Sequence, residues 1–124
     1  MQRILIIEDD SVTARIYRAV LENREYQVEV SSNGASGIQR LIEFRPDGLL
    51  LDLMLPDSDG LELLKSLRNL NCFDNLPVIV YTNAFVPHMV DAVHKAGATC
   101  VFDKSIMTPL MLVEAFRDSL RVTS

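Results

Sequence analysis

No apolar run in this sequence approaches the roughly 20 residues that a membrane-spanning helix needs, so no bilayer span is expected. Cysteine is scarce. With no signal-peptide cleavage region ahead of Arg3-Ile4-Leu5-Ile6-Ile7, Cys72 and Cys100 are read as small hydrophobic residues rather than a disulfide, and the expected compartment is the cytoplasm. Histidine is equally sparse: His88 and His94 are the only two, and their spacing turns them about 240° apart on a helix, which argues against a shared metal. Positive charge is in deficit. Twelve basic against seventeen acidic side chains leave a net charge of −5, without the basic footprint on which autonomous nucleic-acid binding depends. A phosphate-cradling loop is also missing, because Asn33-Gly34-Ala35-Ser36-Gly37 lacks a P-loop lysine and reads as a loop and helix start.

What the chain does contain is a regular alternation of strand and helix signals over 124 residues, the length of one domain. Arg3 to Ile7 is an unbroken aliphatic strand ending in Glu8-Asp9-Asp10. A helix runs from Ser11 to about Asn23, capped by Asp10 or Ser11, with Val12, Ile16, Ala19 and Val20 at helical spacing. Tyr26 to Val30 alternates apolar and polar, as an edge strand exposed on one side does. Ala35, Ile38, Leu41 and Ile42 mark a second helix that ends before Arg45-Pro46. Gly48 to Leu51 is a short, fully apolar strand that stops at Asp52, and Pro56 with Asp59-Gly60 forces a turn behind it. Asp52 is therefore expected at the mouth of a loop. Asp57 and Asp59 read as turn and capping residues.

Leu63, Leu64, Leu67 and Leu70 form the stripe of a third helix, and Val78-Ile79-Val80-Tyr81 is a fourth strand ending at Thr82-Asn83. Val86, Met89, Val90 and Val93 mark a fourth helix that accepts Pro87 in its first turn and stops at Lys95-Ala96-Gly97. Cys100 to Asp103 is the fifth strand, closed by Lys104. Thr108-Pro109 caps a last helix whose inner face is Leu112, Val113, Phe116 and Leu120.

Five such strand–helix units predict an α/β fold: a doubly wound, five-stranded parallel sheet covered by five helices. Continuously apolar strands are central and the half-polar second strand is peripheral, which with right-handed crossovers favours strand order 2-1-3-4-5. In that order the sheet reverses direction between strands 1 and 3, where ligands bind beyond the carboxyl ends of the strands. Topology alone thus brings together Glu8, Asp9, Asp52, Thr82 and Lys104. Carboxylates about 4 Å apart cost on the order of 4 kcal/mol per pair at an effective dielectric near 20, so a cation is expected among them. All-oxygen ligands that leave room for water select Mg²⁺. A cation, a lysine, a hydroxyl and a carboxylate are the parts needed to move a phosphoryl group onto Asp52, with Asp52 as nucleophile.

The motifs Ile-Ile-Glu8-Asp9-Asp10, Leu51 to Gly60 around Asp52, Tyr81-Thr82 and Phe102-Asp103-Lys104 are, in their joint order and spacing, similar to those of the response-regulator receiver domains of two-component signalling. The resemblance runs over essentially the whole chain, 1–124, and implies a flavodoxin-like fold. It implies that Asp52 accepts a phosphoryl group from a phosphohistidine of a sensor histidine kinase or phosphotransfer protein, with Thr82 and Lys104 assisting. It also implies direct Mg²⁺ ligation by Asp9 and Asp52, Glu8 holding the ion mainly through water, and the backbone carbonyl of Met54 as a further ligand. Such a domain is a signalling module, not an enzyme acting on a separate substrate. Its output is expected to be a protein partner on the surface of the fourth helix, fifth strand and fifth helix.

Three positions depart from the family pattern. Ser105 stands where proline usually follows the lysine, Asn83 is bulkier than the usual small residue, and Val101 replaces an aromatic that takes part in switching. The switch is therefore expected to rely on Thr82 and its following loop, with Val101 turned toward the fourth and fifth helices. A degenerate receiver that serves only as a docking scaffold is the alternative, against which the complete acidic set speaks. A phosphatase of the haloacid dehalogenase type would need an acid–base aspartate two residues after Asp52, where Met54 stands, and the acids after the first strand would repel a flavin phosphate.

Overall fold

The computed structural model describes residues 1–120, with the side chain of Asn71 outside the description. The strands are β1 (Arg3–Ile7), β2 (Gln27–Ser31), β3 (Gly48–Asp52), β4 (Val78–Thr82) and β5 (Cys100–Asp103). The helices are α1 (Ser11–Glu22), α2 (Gly34–Phe44), α3 (Gly60–Arg68), α4 (Pro87–Lys95) and α5 (Pro109–Leu120), with a short 3₁₀ turn at Asn71–Phe73. All neighbouring strands pair in parallel, in the order β2-β1-β3-β4-β5 expected from the patterning.

Because strand side chains alternate, the three central strands feed two cores. Leu5, Ile7, Leu49, Leu51, Val78 and Val80 meet Leu41, Phe44, Leu63, Leu64, Leu67 and Val93 of α2, α3 and α4. Ile4, Ile6, Leu50, Ile79 and Tyr81 meet Tyr17 and Leu21 of α1 and Leu112, Phe116 and Leu120 of α5. The inner face expected for α5 holds in full. Val101 packs against the core shared by α2, α3 and α4, which places it toward α4 as expected, whereas Leu112, Phe116 and Leu120 of α5 pack in the core on the other face of the sheet.

Two helices present other faces than their spacing suggested. In α1 the buried residues are Ala14, Tyr17 and Leu21, while Val12 and Ile16 are half exposed and Ala19 is exposed. In α2, Ile42 and Ala35 are exposed, and Gly34, Gly37, Leu41 and Phe44 face inward. Both helices carry aliphatics on more than one face. Contact with β1, β2 and α5 selects the face that includes the bulkier Tyr17 and Phe44, since larger rings bury more apolar area.

The ends of the helices agree better with local chemistry. Asp10 caps α1 through Thr13, Asp59 caps α3 through the Leu61 N–H, and the Thr108 hydroxyl accepts from Met111 N at 3.2 Å. Pro87 opens α4, and Gly97 follows its last turn at φ +107°, where a side chain would be strained. Asp57 does something that turn chemistry did not show. Its carboxylate crosses to the start of α2, accepting from Gly34 N at 2.7 Å and Ala35 N at 3.1 Å. The β3–α3 loop is thereby tied to a second helix.

Gly60 anchors the other end of that loop. Its N–H donates to the Leu53 carbonyl at 2.9 Å, and Met54 bridges to Asp59. A Cβ added at Gly60 would lie 2.4 Å from Leu53 Cα and 2.8 Å from its carbonyl oxygen, with backbone on both sides of the clash. Gly60→Ala is therefore expected to destabilise the domain by about 2–3 kcal/mol, as overpacking against an immobile backbone does. A urea melt on the two proteins measures this, and an unchanged midpoint would show that the loop yields freely.

Candidate functional site

The carboxyl ends of β1, β3, β4 and β5 form one edge, and the register sets which side chains meet there. Ile7 pairs with Leu51 and Asp52 pairs with Tyr81, so Glu8, Asp52 and Tyr81 follow one another across a single face of the sheet. Asp52 is not at a loop mouth. It is the last residue of β3 and only 3% exposed, because its strand is covered on both sides up to its final residue. Glu8, just beyond β1, is 1% exposed, whereas Asp9 beside it faces solvent.

Two carboxylates at such burial require a partner. Lys104, the first residue after β5, supplies it to both: its Nζ lies 2.8 Å from Glu8 Oε1 and 2.9 Å from Asp52 Oδ2. Repulsion among the acids is thus answered from within the chain. Asp52 Oδ1 accepts from Met54 N at 3.1 Å. Glu8 Oε2 accepts from Asp10 N at 3.0 Å, and Glu8 Oε1 also accepts from the Tyr81 hydroxyl at 2.5 Å.

Titration follows these contacts. Burial pushes the Asp52 carboxyl above its ordinary value, aided by the charge of Glu8, and the bonds from Lys104 and Met54 only partly offset it. Burial acts upward on Glu8 too, but the bonds from Lys104, Tyr81 and Asp10 outweigh it and hold that carboxyl low. For Lys104, burial disfavours the ammonium, yet the bonds to Glu8 and Asp52 prevail and raise its pKa. Lys104 stays charged throughout the neutral range. Its folded pKa lies above the unfolded one, so the stability it contributes is complete below about pH 10 and lost as pH rises through the folded value.

One carboxylate oxygen from each of Glu8, Asp9 and Asp52 lies within 4.8 Å of the others. All three are hard oxygen donors, one is solvent-facing, and that composition fits a divalent cation that keeps part of its water. Thr82 is wholly buried, and its Oγ1 accepts from Ala84 N at 3.0 Å, which ties the hydroxyl to the loop after β4. Asn83 is exposed. After Lys104 the chain turns through Ser105, whose N–H and hydroxyl both donate to Asp103 Oδ1, at 3.0 and 2.7 Å. No cis peptide bond is present among the described residues.

All five residues placed at this edge by topology are there. Tyr81 is the one that sequence reasoning missed, since it was read only as the end of a core strand. The signal that could have found it is a tyrosine ending an otherwise aliphatic run, since a buried phenol usually finds a polar partner. His88 and His94 are exposed, and both cysteines are free thiols, Cys72 exposed and Cys100 half-buried.

A parallel α/β sheet of this strand order, with its acids and lysine gathered at the carboxyl edge, is the flavodoxin-like architecture of signal-receiving domains. The profile of the response regulator receiver domain matches residues 4–117. The chain belongs to that family, within two-component signalling, whose members work with histidine kinases. It is 38% identical over 80 residues to the response regulator MprA of Mycobacterium ulcerans (strain Agy99), an alignment covering 64% of this chain and 34% of that protein. The matched segment is therefore about a third of the curated relative's length. Among solved structures, a CheY-like response regulator receiver domain protein from Methanospirillum hungatei JF-1 superimposes with a TM-score of 0.91 at 26% identity, over 98% of this chain and 95% of that one. The signal receiver domain of a signal transduction histidine kinase from Syntrophus aciditrophicus gives 0.91 at 27% identity, covering 100% and 93%.

Proposed function

We propose that residues 1–124 form one receiver domain that accepts a phosphoryl group on Asp52 from a phosphohistidine of a sensor histidine kinase or phosphotransfer protein. The observation that carries this reading is Lys104 Nζ held between Asp52 and Glu8, with Asp9 in reach. The Asp52 carboxylate attacks phosphorus, the bond from phosphorus to the donor breaks, and the donor leaves with its electron pair. Lys104 follows the transferred group as a point charge on its oxygens. Asp9, Asp52 and the Met54 carbonyl would hold Mg²⁺, with Glu8 acting through water. When bound, that ion neutralises charge on the phosphoryl oxygens. The domain speeds only its own phosphorylation and slow dephosphorylation, in the cytoplasm, and binds neither nucleic acid nor membrane. Among the described residues no helix is long and apolar enough to cross a membrane.

Exposed hydrophobic side chains near the pocket support a protein as donor. Val12 and Ile16 on α1, Met54 two residues after Asp52 and Ile106 two after Lys104 are each at least half exposed. The test is intact-protein mass spectrometry after incubation with acetyl phosphate. One phosphoryl adduct is expected with Mg²⁺ and none with a chelator. A protein unlabelled in both would leave the docking-scaffold alternative in its place.

Output is proposed on the surface of α4, β5 and α5, with Thr82 as the lever, because its hydroxyl already bonds the loop that leads to exposed Phe85 and Val86. A ligand shifts the two states only through different contacts with each, and Val101 has no ring to move. Beryllofluoride, a phosphoryl mimic, is expected to shift backbone amides across this surface in wild type and Val101→Ala but far less in Thr82→Ala. Shifts that persist in Thr82→Ala and vanish in Val101→Ala would reverse the assignment.

A further inference from the structure

Tyr81 occupies a place that no step above uses. Its ring is wholly buried, set edge-on to Tyr17 with centroids 5.8 Å apart and planes at 84°, and Lys104 Nζ lies 5.0 Å from the ring centroid. Core packing therefore fixes the ring, and its hydroxyl emerges only at Glu8 Oε1. Burial and the bond to Glu8 push the phenol far above its ordinary pKa.

The need for that donor follows from Lys104 being shared. A phosphoryl group on Asp52 presents three new oxygens, and the ammonium now divided between Glu8 and Asp52 is drawn toward them. Glu8 is buried, and a buried carboxylate that loses its ion partner is costly. Two donors remain on it that cannot follow the lysine: Asp10 N–H on Oε2, fixed in the backbone, and the Tyr81 hydroxyl on Oε1, fixed by the core.

We propose that Tyr81 is a positioning residue of the pocket: its hydroxyl holds Glu8 in place and keeps that carboxylate satisfied when Lys104 turns to the phosphoryl group. This rests on the phosphoacceptor reading above. It also gives the length of the side chain at position 8 a consequence. An aspartate there would withdraw the carboxylate by one carbon–carbon bond, about 1.5 Å, and out of the tyrosine's reach.

The test is a double-mutant cycle on the intact chain, reading the affinity for Mg²⁺ with beryllofluoride by calorimetry. Tyr81→Phe keeps the ring and removes one hydrogen bond to a charged group, so about a tenfold weaker complex is expected. Glu8→Asp is expected to weaken it as well, and adding Tyr81→Phe to Glu8→Asp should change nothing further. In wild type the phenol proton should appear as a downfield, exchange-protected NMR resonance. Glu8→Asp, which leaves the tyrosine intact, should abolish that protection and so gives a readout that does not depend on how Tyr81→Phe folds. Equal affinity of Tyr81→Phe and wild type, the same loss in both backgrounds, or a resonance that survives Glu8→Asp would each reduce Tyr81 to packing and overturn the proposal alone. Wild type without affinity for the mimic would overturn the phosphoacceptor reading and this proposal with it.

Discussion

Replacing Asp52 with asparagine is expected to abolish labelling by acetyl phosphate completely while leaving the domain folded and at least as stable as wild type. The two halves of this outcome have one origin. An amide has the shape of the carboxylate and keeps an oxygen to accept the Met54 N–H, but it has no anionic oxygen to attack phosphorus. Burial holds the Asp52 carboxyl above its ordinary pKa, so at neutral pH its ionised form is less favoured in the fold than in water. Asparagine removes that penalty, and Lys104 retains Glu8 as a partner. Mass spectrometry and a thermal melt on the same samples check both. Equal labelling of the variant would assign the chemistry elsewhere, and a lower melting temperature would show that the Asp52–Lys104 pair is a net stabiliser.

Removing the lysine should have the opposite effect on stability. Lys104→Met retains much of the apolar stem but leaves Glu8 and Asp52, both nearly inaccessible, without their shared cation. Taking one partner from a buried ionic cluster costs about 3–5 kcal/mol, and the lower end is expected because Tyr81, Asp10 and Met54 still donate to the acids. The loss should depend on pH in a definite direction. Without Lys104 the Asp52 carboxyl lies higher still, so the folded state binds more protons than the unfolded state and stability falls as pH rises. The penalty is therefore complete at neutral pH and fades on acidification, through the raised folded pKa toward the unfolded carboxyl value near 3.9. Urea melts of both proteins between pH 4 and 7.5 measure it. A gap that is constant over that range would mean that the lysine stem, not its charge, does the stabilising. Mg²⁺ should narrow the gap at neutral pH if the acids bind it, since a cation that binds only the native state stabilises that state.

The sequence by itself determined the order of the strands and five of the polar residues at their carboxyl edge. Both rest on properties local to each strand. Unbroken aliphatic runs at Ile4 to Ile7, Leu49 to Leu51 and Val78 to Val80 have no polar face to expose and must be central, and every polar residue that ends such a run must emerge at the same edge. Capping was legible for the same reason, since Asp10, Asp59 and Thr108 act on the next two or three residues. Tertiary structure decided what periodicity leaves degenerate. Val12 and Ile16 satisfy helical spacing as well as Ala14, Tyr17 and Leu21 do, and only the docking of α1 against the sheet and α5 selects the second set. Side-chain reach across the chain was equally hidden. Asp57 finds the start of α2 from 23 residues away, and Tyr81 finds Glu8 from 73. Such bonds depend on the register of parallel strands and on the length of a side chain, and neither leaves a mark on the hydrophobic pattern of the segment that carries it.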